Sequence, residues 1–168
     1  MTAFLGKTWA PRGVTPTATV SGLRKSITAL SAITSHGALV FRLQEKRVAS
    51  AEYIDFLHQM LQHHPHRHLV VVTDHATPHV SKMTKRFIEE QRRLHVFYLP
   101  PYSPKCRKIF TADEKVWNYL KTQELKSHQA RSKEELKELV DKKLDEMAHN
   151  PHLLKALYFR CCIADFLC

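Results

Sequence analysis

The sequence predicts an α/β fold in which strands and amphipathic helices alternate along one chain. The short run Leu69–Thr73 is rich in β-branched residues and is apolar on both faces, as a strand buried inside a sheet would be. The segments that flank this run carry apolar residues at three- and four-residue intervals, which is typical of helices. A length of 168 residues fits one domain with a substantial core.

Two strands and a helix are predicted before the central run. Residues 24–34 and 38–43 have strand composition, and Ser-His-Gly at 35–37 is a turn signal, so the pair should form an antiparallel hairpin. Residues 51–63 have helical periodicity. The residues expected to face inward from this helix are Tyr53, Ile54, Leu57, Met60 and Leu61.

After the central run, residues 80–90 predict a helix with Val80, Met83 and Phe87 facing inward, and residues 94–99 predict a further strand. The proline-rich sequence at 100–104 then ends regular structure. The order of elements therefore predicts a mixed sheet with helices packed on it.

The C-terminal third is predicted to be helical. Residues 111–125 form a helix with Thr111 as N-cap and Glu114 completing a capping box. Residues 132–147 begin with the capping sequence SKEE, and a short helix is expected after Asn150-Pro151. The inward residues of these helices are expected to be Val116, Trp117, Leu120, Leu125, Leu136, Leu139, Val140, Leu144, Leu153, Leu154 and Leu157.

The amino-acid composition favours some kinds of partner and argues against others. Lys and Arg number 26 against 16 Asp and Glu, and this excess of +10 favours a polyanionic partner or, alternatively, reflects a generally basic soluble protein. No apolar run is long enough to span a bilayer and the N-terminus lacks signal-peptide features, so we expect a cytoplasmic protein without membrane contact.

Neither the cysteines nor the histidines predict a metal site. The four cysteines lack CxxC spacing, which favours free thiols in a reducing compartment over zinc ligands. Five histidines lie between 58 and 68, but Pro65 interrupts them. We therefore favour a solvated, weakly basic loop over a metal-binding tract.

Asp74 is the first candidate functional residue. It ends the buried strand and precedes a turn at Pro78 and a helix. A carboxylate at the carboxyl end of such a strand lies where α/β sheets usually meet ligands and metals. Spacing alone leaves an alternative, in which Asp74 only caps the turn or the helix.

Three motifs in order, VVVTDHATPH, FYLPPYSP and DEKVWNYLK, resemble the catalytic core of the mariner-like DDE transposases, particularly the bacterial insertion-sequence branch. The resemblance runs from about Lys7 to Tyr158 and includes GKTWAPRG. It implies a ribonuclease H-like mixed sheet flanked by helices. Residues 1–158 would form the catalytic core, and residues 159–168 a divergent cysteine-rich tail.

The resemblance implies DNA transposition by metal-dependent cleavage and strand transfer, with Mg²⁺ or Mn²⁺ held by carboxylates. Asp74 and Glu114 match the second and third acids of the family; Asp113 is a neighbouring candidate, and a capping role is the alternative for Glu114. His79 matches a family histidine that positions a phosphate or water, or that only supports the turn. Basic residues on the next helix would face DNA or form a solvated face. They include Lys82, Lys85 and Arg86.

The resemblance further implies DNA as partner, a homodimer or a complex with an intact transposase, and a bacterial, nucleoid-associated location. Two departures qualify it. The family's first aspartate lies upstream of the segment that matches GKTWAPRG, whereas no Asp or Glu precedes Glu45 here. The sequence KCRKIFTAD at 105–113 also replaces a shorter family linker, as a compensated pair of frameshifts would produce.

We therefore expect a core that lacks the first, central strand and its metal ligand, and that neither cleaves nor joins DNA by itself. Unpaired neighbouring strands would then favour association. One alternative is a non-catalytic DNA-binding or dimerising remnant that interferes with an intact transposase. Another is an unrelated α/β nuclease, which needs a replacement ligand that neither Glu45 nor Asp55 is well placed to supply.

Overall fold

The structure is a computed structural model that describes residues 11–13, 26–99, 112–126, 130 and 132–163. Within them, strands and helices follow one another in the predicted order. The strands are β1 (Thr28–Ile33), β2 (Leu39–Gln44), β3 (Leu69–Thr73) and β4 (Leu94–Tyr98). The helices are α1 (Ser50–His63), α2 (Thr77–Val80), α3 (Lys82–Glu90), α4 (Ala112–Tyr119), α5 (Lys133–Ala148) and α6 (Pro151–Ile163).

Strands β1 and β2 form the predicted antiparallel hairpin, in a register that pairs Thr28 with Gln44 and Ile33 with Leu39. Gly37 closes the turn with a φ of +82°, a region that favours glycine. A Cβ at this position would also overlap the main-chain carbonyl of Pro151 at the start of α6. The turn signal was therefore correct, and the glycine also lets α6 approach the hairpin.

Strands β3 and β4 pair in parallel, in a register that runs from Leu69 with Leu94 to Thr73 with Tyr98. The bounds predicted for both strands are confirmed to within one residue. The expectation that β3 is buried on both faces is wrong for the described residues. Alternate side chains are exposed, at 64% for Val70, 47% for Val72 and 60% for Phe97. The opposite face packs against α1, in a cluster that also includes Val40 of β2 and is flanked by Phe87 and Ile88 of α3.

The helix predicted over residues 80–90 is interrupted at Ser81, which is extended and separates α2 from α3. The Ser81 hydroxyl caps α3 by accepting a hydrogen bond from the Thr84 amide at 3.2 Å. The interruption changes which side of the helix faces inward. Met83, predicted to be inward, is 50% exposed, while Thr84 is fully buried and its hydroxyl donates to the Pro78 carbonyl at 2.7 Å.

Helix α4 continues as a π-helical turn over Leu120–Glu124, in which the Leu125 amide donates to the Leu120 carbonyl at 2.8 Å. The wider π-turn keeps both leucines buried. The predicted extent of this helix is thus correct from residue 112 onward. Its predicted cap, Thr111, and the proline-rich segment before it lie outside the described residues.

The predicted N-cap of α5 is confirmed, because the Ser132 hydroxyl accepts a hydrogen bond from the Glu135 amide at 3.0 Å. Helix α6 has 13 residues and is longer than the short helix expected. It runs past residue 159, where the cysteine-rich tail was expected to begin. The division into a catalytic core over 1–158 and a tail over 159–168 stays a prediction. Among the described residues, none of the helices has both the length and the apolar character needed to cross a bilayer.

The described residues bury two apolar clusters. The first joins the hairpin to α4, α5 and α6. The second joins α1, with side chains of α3 at its border, to the inner face of β3 and β4. Adjacent residues of β2 enter different clusters, Leu39 the first and Val40 the second, because strand side chains alternate between faces. In this part of the chain the strands form two separate pairs instead of one continuous mixed sheet.

Candidate functional site

Asp74 follows β3 directly and presents its carboxylate to solvent, with 68% of the side chain exposed. Its Oδ1 accepts a hydrogen bond from the Ala76 amide at 3.0 Å, which closes a tight Asx turn. The same oxygen lies 2.8 Å from Nδ1 of His79. The capping role considered from sequence is therefore real, and it leaves the carboxylate accessible at the strand end.

His79 is fixed at both its main chain and its ring. Its amide donates to the Ala76 carbonyl at 2.8 Å, and its carbonyl accepts from the Tyr98 hydroxyl at 3.0 Å. The side chain is only 16% exposed, and Nδ1 also lies 3.0 Å from the Thr73 hydroxyl. An ionised carboxylate only accepts hydrogen bonds, so the contact with Asp74 requires the proton on Nδ1.

Tyr53 of α1 packs on this histidine, with the two ring centroids 4.1 Å apart and the ring planes inclined by 36°. Tyr53 is 4% exposed, and its hydroxyl is buried without a hydrogen-bond partner among the described residues. Burial raises the pKa of Tyr53 to about 12, although the Thr73 side chain acts in the opposite direction. The sequence identified Tyr53 only as a core residue, because periodicity does not show what a buried ring contacts.

Asp113 and Glu114, adjacent at the start of α4, have different environments. Asp113 accepts a hydrogen bond from the Ser31 hydroxyl at 2.5 Å and another from the Trp117 indole at 3.2 Å. The indole also donates to the Ser31 oxygen at 2.7 Å, which closes a three-residue network between α4 and β1. Burial raises the pKa of Asp113, although both hydrogen bonds oppose that shift. Glu114 is exposed.

The structure thus brings Asp74 and His79 into contact and leaves Glu114 as a surface residue of another element. Lys82, Lys85 and Arg86 are exposed on α3, just beyond the Asp74 turn, and Arg86 pairs with Glu90 at 3.1 Å. No group of three or more His, Cys, Asp or Glu side chains suited to a metal forms within the described residues.

A parallel strand pair that ends in an accessible carboxylate is typical of one class of protein, the α/β domains that bind ligands at the carboxyl ends of their strands. The family model for "DDE superfamily endonuclease" matches residues 2–137. The chain therefore belongs to the DDE superfamily endonuclease family. Comparison with curated protein sequences gives no match.

Solved structures of Mos1 transposase share the fold. The paired-end complex with the left transposon end matches 98% of this chain and 51% of that chain, at 18% identity and a TM-score of 0.63. The strand transfer complex matches 98% and 50%, at 17% identity and a TM-score of 0.63. The catalytic domain of Mos1 mariner transposase matches 82% and 72%, at 16% identity and a TM-score of 0.52. The fold is thus ribonuclease H-like, and the chain spans about half the length of the first two chains.

Proposed function

We propose that this chain is a catalytic-core portion of a DNA transposase, whose complete form cleaves and joins DNA phosphodiesters with the help of a divalent cation. Membership of the DDE endonuclease family supports this proposal. The likeness to Mos1 transposase, solved with transposon-end DNA, supports it further. The observation that carries most weight is the accessible Asp74 carboxylate at the end of β3, held by His79.

The side chains fit a hard cation in type but not in number. Mg²⁺ and Mn²⁺ prefer carboxylate oxygens, and Mg²⁺ is commonly held by one or two carboxylates together with waters and substrate phosphates. Asp74 and Glu114 would supply those carboxylates, and Asp113, engaged by Ser31 and Trp117, would not. When bound, the cation would stabilise charge on the phosphate and activate the attacking oxygen. The described residues form no group of three or more His, Cys, Asp or Glu side chains that could enclose the cation.

We therefore expect metal binding without catalysis by this polypeptide. The test is a titration of Mn²⁺ into the protein, followed by electron paramagnetic resonance. Asp74→Asn should weaken binding about tenfold or more, since it removes a direct ligand. Asp55→Asn makes the same change of charge at another exposed aspartate, 3.6 Å from Arg42, and should leave binding unchanged. Equal losses in the two variants would refute a specific role for Asp74. Mg²⁺-dependent DNA cleavage that vanishes in Asp74→Ala would show that the site is complete.

A second candidate is a DNA-binding chain that does not cleave and that interferes with an intact transposase, as a competitor or as a dimer partner. The formal charge of +10 and the exposed lysines of α3, beside the Asp74 turn, favour it. DNA binding should weaken steeply as salt rises, because neutralised phosphates release counterions. As a narrower part of the transposase proposal, we place the chain in the bacterial insertion-sequence branch, with a nucleoid-associated location when it is bound to DNA.

The role of the exposed lysines of α3 is tested by reversing the charges of Lys82 and Lys85 together, with glutamate at both positions. Each lysine that contacts a phosphate should reduce the slope of log affinity against log salt by about 1. Reversing the charges of Lys121 and Lys142, which are exposed on other helical segments, makes the same change of net charge and is the matched control. If the Lys82 and Lys85 variant binds duplex DNA with the same salt slope as this control, then α3 does not contact the phosphates.

A further inference from the structure

Within the described residues, two groups besides Asp74 contact the ring of His79: the Thr73 hydroxyl lies 3.0 Å from Nδ1, and the Tyr53 ring packs on its face. The main chain of His79 is anchored by the Ala76 carbonyl and the Tyr98 hydroxyl, so the remaining freedom is rotation of the side chain. The Tyr53 ring lies against the imidazole with 4.1 Å between the centroids. Tyr53 itself belongs to the apolar cluster of α1 and is 4% exposed, so it cannot move aside without opening that core.

The orientation selected by this packing determines how Asp74 is used. Nδ1 of His79 lies 2.8 Å from Oδ1 of Asp74, and Oδ1 also receives the Ala76 amide. Both contacts therefore hold one carboxylate oxygen from the protein side. Among the described residues, Oδ2 takes part in none of the side-chain hydrogen bonds of Asp74, and the carboxylate is 68% exposed.

We propose that Tyr53 is a positioning residue that holds the His79 imidazole with Nδ1–H toward Asp74, so that Oδ2 of Asp74 is presented to a divalent cation and its phosphate ligand. The cation part of this inference rests on the proposed function. The orientation of His79 does not, because it follows from contacts within the protein. Residues that orient a metal ligand from behind commonly control metal affinity.

The ring of Tyr53, and not its hydroxyl, carries the role. The imidazole packs on the ring itself. The buried hydroxyl forms no hydrogen bond of good geometry among the described residues, and Tyr53→Phe removes its weaker interaction with the Thr73 side chain. Tyr53→Phe should therefore preserve the orientation of His79. Tyr53→Leu removes the flat surface against which the imidazole packs and should release it.

The experiment measures the imidazole nitrogens of His79 in protein labelled with ¹⁵N-histidine at pH 8, with the signals assigned by their loss in His79→Gln. The parent protein and Tyr53→Phe should both show the pattern of a proton fixed on Nδ1. Tyr53→Leu should show nitrogens averaged between the two tautomers, and its Mn²⁺ affinity should fall about three- to tenfold. This loss is smaller than the roughly 10- to 100-fold typical of direct outer-shell partners.

Phe56→Leu is the matched control, since Phe56 is a 3% exposed aromatic residue of the same helix and cluster. It should lower stability to a similar extent and leave both the nitrogen pattern and the Mn²⁺ affinity unchanged. Tyr53→Met, whose unbranched side chain adapts more readily to an irregular space, replaces Tyr53→Leu if that variant does not fold. An unchanged nitrogen pattern in the folded Tyr53 variant, or the same change in Phe56→Leu, would overturn the inference. A parent protein that binds no Mn²⁺ would contradict the proposed function, and the nitrogen pattern would still decide the role of Tyr53.

Discussion

The two halves of the described molecule bury their strands differently. In the hairpin half, formed by β1, β2, α4, α5 and α6, helices and strands close around one core. Its central side chains, including Val116, Leu144 and Leu154, are fully buried. In the parallel half, formed by β3, β4, α1, α2 and α3, only one sheet face is covered, and Val70, Val72 and Phe97 stay exposed on the other.

The same contrast applies to the acidic residues that each half carries. The hairpin half partly buries Asp113 and satisfies it with Ser31 and Trp117, so this carboxylate stabilises the junction of α4 and β1. The parallel half exposes Asp74 and holds it by one oxygen. A partly buried acid whose acceptors are occupied is structural, whereas an exposed acid anchored from one side remains available to a ligand. The difference between the halves therefore indicates which acid to test for metal binding.

The largest expected effect comes from truncating the two cores. Leu144→Ala in the hairpin half and Leu57→Ala in the parallel half each remove a side chain with no exposed surface. We expect losses of about 4 kcal/mol and about 3 kcal/mol respectively, because a half with one uncovered face relaxes more readily around a cavity. Urea unfolding followed by circular dichroism measures both values. A larger loss for Leu57→Ala would show that the parallel half is the more tightly packed one.

A smaller effect is expected from Asp113→Asn. Burial raises the pKa of Asp113 above its ordinary value of 3.8, so the folded protein retains the proton to higher pH than the unfolded chain does. The stability contributed by Asp113 is therefore complete below about pH 3.8 and declines as pH rises through the folded-state pKa. Asparagine carries no titrating proton, so the variant should gain stability relative to the parent as pH rises through that window.

Urea unfolding at several pH values from 3.5 to about 7 tests this sign, within the range where linkage to carboxyl groups operates. Asp141→Asn, at an exposed position of α5, is the control and should follow the parent protein. If Asp113→Asn instead loses stability relative to the parent as pH rises, then the hydrogen bonds from Ser31 and Trp117 outweigh the cost of burial.

Local sequence patterns predicted the helices and strands well, because the bounds of these elements depend on residues that are neighbours in the sequence. The bounds of β3, the hairpin turn at Gly37 and the Ser132 cap each follow from a few adjacent residues. The break at Ser81 was missed because a single serine gives a weak helix-start signal inside an amphipathic stretch. That miss placed Met83 inward, and Thr84 occupies the buried position instead.

The site was predictable only in part, for a related reason. Asp74 and His79 are five residues apart and within one motif, so the sequence indicated both. The contact of Ser31 with Asp113 joins residues 82 positions apart, and periodicity carries no information about such a pair. Tyr53 has the same limitation, since its packing on His79 depends on how α1 lies against the strand end. The proximity of Asp74 to Glu114 stays a prediction.

The smallest effects compare neighbouring valines of β3 that point to opposite faces. Val72 is 47% exposed, so Val72→Thr should change stability by no more than about 0.5 kcal/mol. Val71 packs against the α1 cluster, and Val71→Thr should cost about 1 to 2 kcal/mol, because the added hydroxyl is partly buried there. Equilibrium urea unfolding of both variants gives the difference directly. Because threonine retains the β-branched shape, strand propensity is nearly constant between them. If the two costs are equal, then the outer face of β3 is covered in solution, and the parallel half is as closed as the hairpin half.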